Sequence, residues 1–405
     1  MTPTPYKSIM FVAIEIHGPF RGPTGYDRHV RGFARALHDL GVAVELVELP
    51  RWSPARLPPE LQDPWFALLN RPVRARTVLH CCMPPQVRKT PGQIAVNYTM
   101  FEATPIPPRW AAVSDRPERI VVPTESSALA WRAAGVAPER LAVSPLGVDA
   151  RAFGAVTPGR PSPDLLGRAG VWDRRHRFLN VAEVSPRKNL PGLLRAWLRA
   201  TTREDDAALI LKPGFYTPSS RERFAAIHAA AETETGVAAA DAAPIQVIDR
   251  LFADAEMPAL FAAATHYVSL SYGEGWDQPM VEAGAAGLRL IAPAHSAYLA
   301  YLDPACATLL PSAPVLAGPL AGPDLASLFG TAGITWWQPD EDAAARAIRD
   351  AIDGRDSGVT PPRERILRDL NWERAARRLL AVLDDVERSR GRRRFWRGFR
   401  PSRHR

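Results

Sequence analysis

SYGEGWDQPMVEAGAAGLRLIAP, residues 271–293, is the stretch that decides the fold of this chain. Its first part contains two glycines and predicts a turn. Pro279 favours the first position of a helix, where its missing N–H group costs nothing. The apolar run at 288–292, directly after Gly287, predicts the next strand. This order of turn, helix and strand is typical of an α/β domain.

Two carboxylates, Glu274 and Glu282, flank this turn and helix start. Glu274 falls in the predicted loop, and Glu282 falls in the first turns of the predicted helix. The start of a helix presents free N–H groups and the positive end of the helix dipole, which suit a phosphate. Carboxylates accept hydrogen bonds from the hydroxyls of a sugar. The segment therefore predicts a site for a sugar carried on a nucleotide diphosphate.

The first 150 residues predict a doubly wound α/β domain. A buried strand at 8–16 is followed by the loop HGPFRGPTGYDR, a helical pattern and a second strand at 42–49. Further strands are predicted at 77–81, 94–98, 119–122 and 141–144.

The pattern restarts after residues 156–172, which are rich in Pro and Gly and which we interpret as a linker. The restarted pattern predicts strands at 178–184, 207–212, 245–248 and 266–270, and helices at 190–200, 257–264 and 372–388. Two doubly wound domains in tandem leave a cleft between the carboxyl ends of their strands, where such sheets bind ligands.

A Glu, seven residues and a second Glu, with GW after the first and a Pro before the helix, resemble the signature of a known family. That family is the retaining nucleotide-sugar glycosyltransferases of the GT-B fold, family 4. PRKNL at 186–190, VVPTESSALAWRAAGV at 121–136 and PLGVD at 145–149 resemble other parts of its pattern. The resemblance covers the chain to about residue 388 and is concentrated between 180 and 293.

The resemblance implies two Rossmann-like domains that face each other across a cleft. Residues 1–160 would form the acceptor domain and residues 173–370 the nucleotide-sugar donor domain. Residues 371–388 would form a helix that returns to the first domain, and residues 389–405 a basic tail rich in arginine and aromatic residues.

The resemblance, together with the polar and charged residues that stand in loops and at strand ends, gives the candidate site residues. Glu274, Arg187, Lys188 and Glu102 are the catalytic candidates. The donor-binding candidates are Gly25, Lys212, Gly275, Trp276, Asp277, Pro279 and Glu282. In this interpretation Glu282 holds the ribose, and Glu274 holds the sugar together with the backbone N–H groups at 275–277. Two cations, Arg187 and Lys188, then neutralise the leaving diphosphate.

Two of these candidates have competing interpretations. Lys212 ends a predicted strand and would face the cleft, although lysines at strand ends more often extend along the surface into solvent. Glu102 is the polar group in NYTMFEATPIP, where the family often has a His, and it would position or deprotonate an acceptor hydroxyl. A lone Glu in a loop is more often simply solvated. His80 is the other candidate for this role, although a satisfied histidine at a strand end is the simpler interpretation.

Two further departures from the family pattern concern charge and backbone. Glu183 stands where a common variant of the family has Arg, so that Arg187 must supply any second positive charge. Asp277 stands where many members have Gly, and Asp is among the few residues besides Gly that tolerate a left-handed backbone.

The expected activity is transfer of a sugar from a nucleotide-diphosphate sugar to an acceptor hydroxyl with retained configuration, in polysaccharide, lipid-linked oligosaccharide or glycolipid assembly. We expect no cofactor and no metal, because the cations and the helix start can neutralise the diphosphate and the sequence has no ligand pair or His/Cys cluster in the right context. The alternative is a catalytically inactive GT-B-like binding or scaffold protein, which Glu183, Asp277 and the missing His would favour.

Composition is that of an ordinary globular chain of 405 residues, 46% hydrophobic and 23% charged. The net charge is +8, but residues 388–405 alone contain nine arginines and no acidic residue, so the rest of the chain is close to neutral. Arginines interleaved with Phe and Trp suit an anionic membrane surface, although such tails also remain solvated or bind RNA or a partner. The sequence has no motif that reads nucleic acid.

The three cysteines form no disulfide framework, and the apolar stretch at 9–16 has neither the length of a membrane span nor the features of a signal peptide. We therefore expect a cytoplasmic protein, with the tail as a peripheral contact to the inner face of the cell membrane.

Overall fold

The computed structural model of the chain describes residues 13–50, 52–53, 55–160, 170–322, 333–356 and 358–398, without the side chains of 391–398. Residues 8–12 of the first predicted strand, most of the predicted linker and the end of the tail lie outside the described residues.

The first domain is built on a sheet of six parallel strands in the order β2-β1-β3-β4-β5-β6. The strands are β1 Ala13–Gly18, β2 Ala43–Glu48, β3 Thr77–Cys81, β4 Ile94–Tyr98, β5 Arg119–Val122 and β6 Leu141–Val143. The central strands β3 and β4 are buried along their whole length, as expected for a parallel sheet covered on both faces.

The second domain is built on another six-stranded parallel sheet, in the order β12-β11-β10-β7-β8-β9. Its strands are β7 His176–Glu183, β8 Ala207–Gly214, β9 Ile245–Val247, β10 His266–Val268, β11 Arg289–Pro293 and β12 Thr308–Leu310. A separate antiparallel hairpin pairs β13 Ser312–Leu316 with β14 Thr335–Pro339. The two parallel sheets confirm the predicted doubly wound fold class, whereas β12 and the hairpin were not predicted.

Helices cover the faces of the two sheets. They are α1 Gly25–Asp39, α2 Pro108–Ala111, α3 Glu125–Ala133, α4 Ala150–Gly154, α5 Leu190–Ala200, α6 Pro218–Thr235, α7 Met257–Ala262, α8 Gln278–Ala286, α9 Glu341–Ile352, α10 Arg363–Asp369 and α11 Trp372–Gly398. Residues 317–322 are also helical. In the part of the chain that the structure describes, none of the helices combines the length and apolar content that a bilayer crossing requires.

Helix α1 begins with a capping box directly after the glycine-containing loop. The Thr24 hydroxyl accepts a hydrogen bond from the Asp27 backbone N–H at 3.4 Å, and the Asp27 carboxylate accepts one from the Thr24 backbone N–H at 3.2 Å. Val30, Phe33 and Leu37 form its fully buried face. The capping box therefore fixes the point at which the glycine-containing loop ends and α1 begins.

Helix α8 begins at Gln278, one residue before the predicted start, and Pro279 is its second residue. It ends at Gly287, whose φ of 86° is the left-handed conformation that terminates helices. The strand β11 follows at once, as the order of turn, helix and strand predicted.

The terminal helix α11 continues to Gly398, so the predicted helix end at residue 388 is wrong. Leu379 and Leu383 are fully buried in the same hydrophobic cluster as residues of the first domain. Thr77 donates a hydrogen bond of 2.5 Å to Glu387, and Arg119 lies 3.0 Å from Asp385. The helix thus packs on the first domain, and at least residues 389–398 of the predicted tail are helical.

The hairpin of the second domain packs on the first domain. Thr104 and Thr335 exchange backbone hydrogen bonds of 3.1 and 2.7 Å across the domain boundary. Fully buried Trp336 lies in one cluster with Phe101 and Tyr272. These contacts hold the loop after β4 against the loop after β10.

Candidate functional site

The candidate site lies where the strand order of the second sheet reverses. Strands β7 and β10 are neighbours, but the chain leaves β7 towards β8 on one side and β10 towards β11 on the other. The loops at their carboxyl ends are joined by two hydrogen bonds of 2.8 Å, from Tyr272 N–H to Arg187 O and from the Arg187 guanidinium to Gly273 O. Ligands bind at this switch point in open α/β sheets.

Glu274 lies at the centre of a cluster of charged side chains that includes Arg187 and Lys188, and it is only 4% exposed. Its carboxylate lies 2.7 Å from Arg187 Nη1 and 2.6 Å from Lys188 Nζ, and it accepts a hydrogen bond of 2.8 Å from the Ser271 hydroxyl. Burial raises the pKa of this carboxyl, but Arg187 and Lys188 outweigh burial and lower the pKa of Glu274 to about 2. The structure therefore brings Glu274 and both predicted cations together in their charged forms.

Asp277 has a left-handed backbone, with φ of 59°, directly before α8. This agrees with the expectation that Asp tolerates the conformation at a position where Gly is common. One carboxylate oxygen accepts a hydrogen bond of 2.8 Å from Tyr298, and the other lies 3.7 Å from Lys188 Nζ. Burial and the nearby charge of Glu274 raise the pKa of Asp277 to about 6, against the lowering effect of Lys188.

The glycines of the loop are pressed against the first domain. A Cβ added at Gly273 would lie 1.9 Å from the carbonyl oxygen of Glu102, and one at Gly275 would lie 2.9 Å from the Met100 side chain. Between Gly275 and Asp277, Trp276 is buried, and its carbonyl accepts a hydrogen bond of 2.8 Å from Tyr301. Gly273 is required because the backbone of Glu102 leaves no room for a side chain, whereas Gly275 is crowded by the Met100 side chain.

Glu102 lies beside the charged cluster, in the half-buried segment that faces Gly273. Burial raises the pKa of its carboxyl, Arg187 lowers it, and Glu274 raises it further. Its neighbour Met100 donates a backbone hydrogen bond of 2.9 Å to the Tyr26 hydroxyl, which positions this segment against α1. The structure thus places Glu102 near Arg187 and Glu274, and not alone in solvent.

Glu282 is 2% exposed and is held by a residue of the other domain. Arg28, in the first turns of α1, donates hydrogen bonds of 3.1 and 2.5 Å to its two carboxylate oxygens. Gln278 donates a third of 3.3 Å. Burial raises the pKa of Glu282, and Arg28 lowers it. Sequence reasoning missed Arg28, although it is the last residue of the quoted loop HGPFRGPTGYDR.

Two other predicted donor-binding residues, Lys212 and Gly25, have surroundings of a different kind. Lys212 is buried on β8 and donates a hydrogen bond of 3.1 Å to the carbonyl of Pro213, so it is not a lysine that extends into solvent. Its ammonium group lies 5.9 Å from the centre of the Phe252 ring, and burial lowers its pKa to about 8. Gly25 is the first residue of α1, and a Cβ there would meet nothing within 4 Å.

Two histidines differ in their relation to the site. His80 is buried on β3 with its ring centre 5.0 Å from that of His17. Sequence reasoning missed His295, which hydrogen-bonds to the Ser271 carbonyl at 2.9 Å and stacks on Trp337 with ring centres 5.4 Å apart. His295 therefore stabilises the loop that contains Glu274 through the Ser271 carbonyl. No spacing pattern links it to that loop, so the sequence carried no signal for this role.

A cavity of about 1430 Å³ is lined by α1, the segment 57–67 and the start of α11, and it reaches the second domain. Its walls include Arg28 and Arg35 of α1, and Asp254, Gln278 and Glu282 of the second domain. Pockets for small ligands commonly measure about 300–1,000 Å³, so the cavity has room for a nucleotide next to Glu282. Glu274, Arg187 and Lys188 are not part of its lining. Among the described residues, no group of three or more His, Cys, Asp or Glu is placed to hold a metal ion.

The sequence matches no model of a known protein family, and it matches no curated protein. Its structure is similar to that of Anabaena HepE in complex with UDP and glucose, with 14% sequence identity and a TM-score of 0.61 over 92% of this chain and 100% of that one. It is similar to sucrose-phosphate synthase from Thermosynechococcus elongatus, with 13% identity and a TM-score of 0.61 over 93% and 100% of the two chains. A glycosyltransferase from Rickettsia africae gives 12% identity and a TM-score of 0.61 over 93% and 99%. The predicted GT-B fold is thereby confirmed.

Proposed function

We propose that this protein is a glycosyltransferase that moves a sugar from a nucleotide-diphosphate sugar to an acceptor hydroxyl with retained anomeric configuration. The observation that carries the proposal is the position of Glu274. It is buried between Arg187 and Lys188 at the switch point of the second sheet, four residues before the start of α8. A carboxylate, two cations and a helix start in one place suit a sugar and the diphosphate that carries it.

In the proposed reaction, the bond between the anomeric carbon and the diphosphate oxygen breaks, and the acceptor oxygen bonds to the same carbon from the same face. Arg187, Lys188 and the N–H groups at the start of α8 stabilise the negative charge that develops on the leaving diphosphate. Glu274 orients the sugar through its hydroxyls, together with the backbone at 275–277. Glu282 binds the ribose.

The proton of the acceptor hydroxyl leaves to the departing phosphate or to Glu102. Glu102 is suited to accept it because burial raises the pKa of its carboxyl and so strengthens it as a base. The proposal requires no metal ion, because fixed cations carry the neutralisation. HepE was solved with UDP and glucose, which supports the choice of a nucleotide-sugar donor here.

The proposal extends to acceptor and location. We infer an acceptor in polysaccharide, lipid-linked oligosaccharide or glycolipid assembly on the cytoplasmic side of a membrane, with the arginines of residues 388–405 as a peripheral contact. Co-sedimentation with vesicles that contain about one third anionic lipid, compared with neutral vesicles, tests the membrane contact. Equal binding to both would contradict it.

A second candidate is a binding protein of the same fold without turnover. It is favoured by Glu183, which lies 3.5 Å from Arg187 at a position where the resembled family commonly has an Arg. Such a protein would bind the nucleotide sugar but would not transfer or hydrolyse the sugar.

The testing experiment is a thermal-shift screen of the purified protein against UDP, GDP, ADP and their common sugar conjugates. Ligand binding to the native state raises the melting temperature. A shift with one nucleotide that is lost in Glu282→Ala supports the site. Release of the sugar from that conjugate separates the transferase from the binding protein. No shift with any nucleotide would overturn the proposed donor site.

A further inference from the structure

The donor cations of the second domain are already matched by carboxylates. Arg187 lies 2.7 Å from Glu274 and 3.5 Å from Glu183, and Lys188 lies 2.6 Å from Glu274 and 3.7 Å from Asp277. A diphosphate placed beside these groups would bring more negative charge than Arg187 and Lys188 can neutralise by themselves. A further cation at the same cleft would therefore strengthen its binding, because charges interact strongly where water is excluded.

Arg28 also lies at this cleft, but it belongs to the first domain and pairs with Glu282, the proposed ribose ligand. Its side chain is 17% exposed, and it crosses from α1 of the first domain to Glu282 of the second. Its Nε atom also lies 3.4 Å from Asp254, whose main partner is Arg31 at 2.6 Å. Arg28 follows the glycine-containing loop and lies on the wall of the cavity that reaches Glu282.

We propose that Arg28 is a phosphate-binding residue of the donor site, contributed across the cleft by the first domain. This inference rests on the proposed function. Glu282 is the carboxylate that the ribose hydroxyls would occupy, and Arg28 cannot become neutral, because a guanidinium stays protonated in proteins. When the ribose takes Glu282, a phosphate of the donor replaces it as the partner of Arg28. Guanidinium groups suit phosphate oxygens through two parallel hydrogen bonds.

The exchange has a consequence for the two domains. Without a donor, Arg28 joins them directly through Glu282. With a donor bound, the same arginine joins them through the nucleotide. The first domain then contributes to donor affinity, which a site built from the second domain alone would not show.

The experiment measures dissociation constants by titration calorimetry for UDP, GDP and ADP and for uridine, guanosine and adenosine. The proteins are wild type, Arg28→Gln, Arg28→Lys and Arg132→Gln. Arg132 lies on α3, pairs with Glu125 within the first domain, has a side chain that is 37% exposed and is not part of the cavity lining, so it is the matched control. Arg28→Lys keeps the positive charge, so it still tests the role of Arg28 if the Arg28→Gln protein does not fold.

We expect Arg28→Gln to weaken binding of the nucleoside diphosphate about tenfold or more, with the affinity for its nucleoside unchanged or higher. Arg28→Lys should recover part of the loss, and Arg132→Gln should bind like wild type. The opposite result, unchanged or tighter binding of the diphosphate by Arg28→Gln, would show that Arg28 only competes with the donor for Glu282. That result overturns the inference and leaves the proposed function intact. If the wild-type protein binds none of the six compounds, the proposed function fails and the inference fails with it.

Discussion

Gly273 of the second domain faces the backbone carbonyl of Glu102 in the first domain so closely that a Cβ on Gly273 would lie 1.9 Å from that oxygen. Two predicted site residues, Glu102 and Glu274, are therefore brought together by a contact between backbones. The contact has room for no side chain larger than hydrogen, and it sets how near the two domains approach at the Glu274 loop.

Gly273→Ala tests this close approach. The added methyl group must push the Glu102 segment or the Glu274 loop away, and overpacking of this kind costs about 1–3 kcal/mol of folding free energy. We expect a lower melting temperature and a weaker thermal shift with the donor nucleotide. Gly318→Ala is the control, because a Cβ there meets nothing within 4 Å. A Gly273→Ala protein with wild-type stability and binding would show that the domains separate freely here.

Glu274 and Glu282 should differ in their kinetic effects. Glu282→Ala removes a ribose contact and should mainly raise the KM for the donor, whereas Glu274→Ala removes a contact to the transferred sugar and should lower kcat as well. Both changes remove the nearest carboxylate partner of buried cations, so each should also lower the free energy of unfolding by about 1–3 kcal/mol. Steady-state kinetics and urea titrations measure the two effects. Wild-type kinetics in both variants would refute the assignment of the site.

Asp277 should make stability fall as the pH rises through the weakly acidic range. The pKa of Asp277 is raised from the ordinary 3.8 to about 6 by burial and by Glu274. Between these values the unfolded chain releases the proton first, so stability decreases with rising pH. Relative to wild type, Asp277→Asn should gain on the order of 1–3 kcal/mol between pH 4 and pH 7.

Urea titrations across that range measure the difference, and the exposed Asp39→Asn is the control. The lowered pKa of Glu274, about 2, acts in the opposite direction. Its stabilisation is present above pH 4.5 and is lost towards pH 2, so it overlaps this comparison only between pH 4 and pH 4.5. A constant difference between wild type and Asp277→Asn from pH 4 to pH 7 would contradict the prediction.

Lys212→Met separates a structural lysine from a donor-binding one. Burial lowers the pKa of Lys212 to about 8 from its ordinary 10.5, so the charged lysine destabilises the native state below pH 8. That cost disappears as the pH rises from about 8 to 10.5. The advantage of Lys212→Met in the free energy of unfolding should therefore shrink over this range.

Donor binding gives the second measurement for this variant. If Lys212 contacts the donor, Lys212→Met should weaken nucleotide affinity about tenfold at pH 7. Unchanged affinity with the expected pH dependence of stability would assign Lys212 to the interior of the second domain and remove it from the donor site.

Much of the fold was readable from short segments. Strands β3, β4 and β5 and helix α5 begin and end where the apolar patterns predicted. Gly287 ends α8, and Asp277 adopts the left-handed backbone before it. These features depend on the conformational preferences of a few neighbouring residues, so they are visible wherever the sequence is examined locally.

Local sequence patterns did not predict other elements of the fold. The hairpin β13–β14 is stabilised by first-domain residues such as Phe101. The residues that favour it are therefore distant along the chain, and the local sequence does not predict it. The helix α11 runs on past the position where its apolar face ends, although the sequence there suggested a separate tail.

The sequence by itself determined the two α/β domains, because strand period and helix starts are encoded within short segments, and the resemblance to the family implied that Glu274, Arg187 and Lys188 belong to one site. Only the tertiary structure decided that Arg28 meets Glu282, 254 positions away along the chain. Such a pair depends on how two independently formed domains pack, and no spacing within either domain records it. The same packing places Glu102 against Gly273.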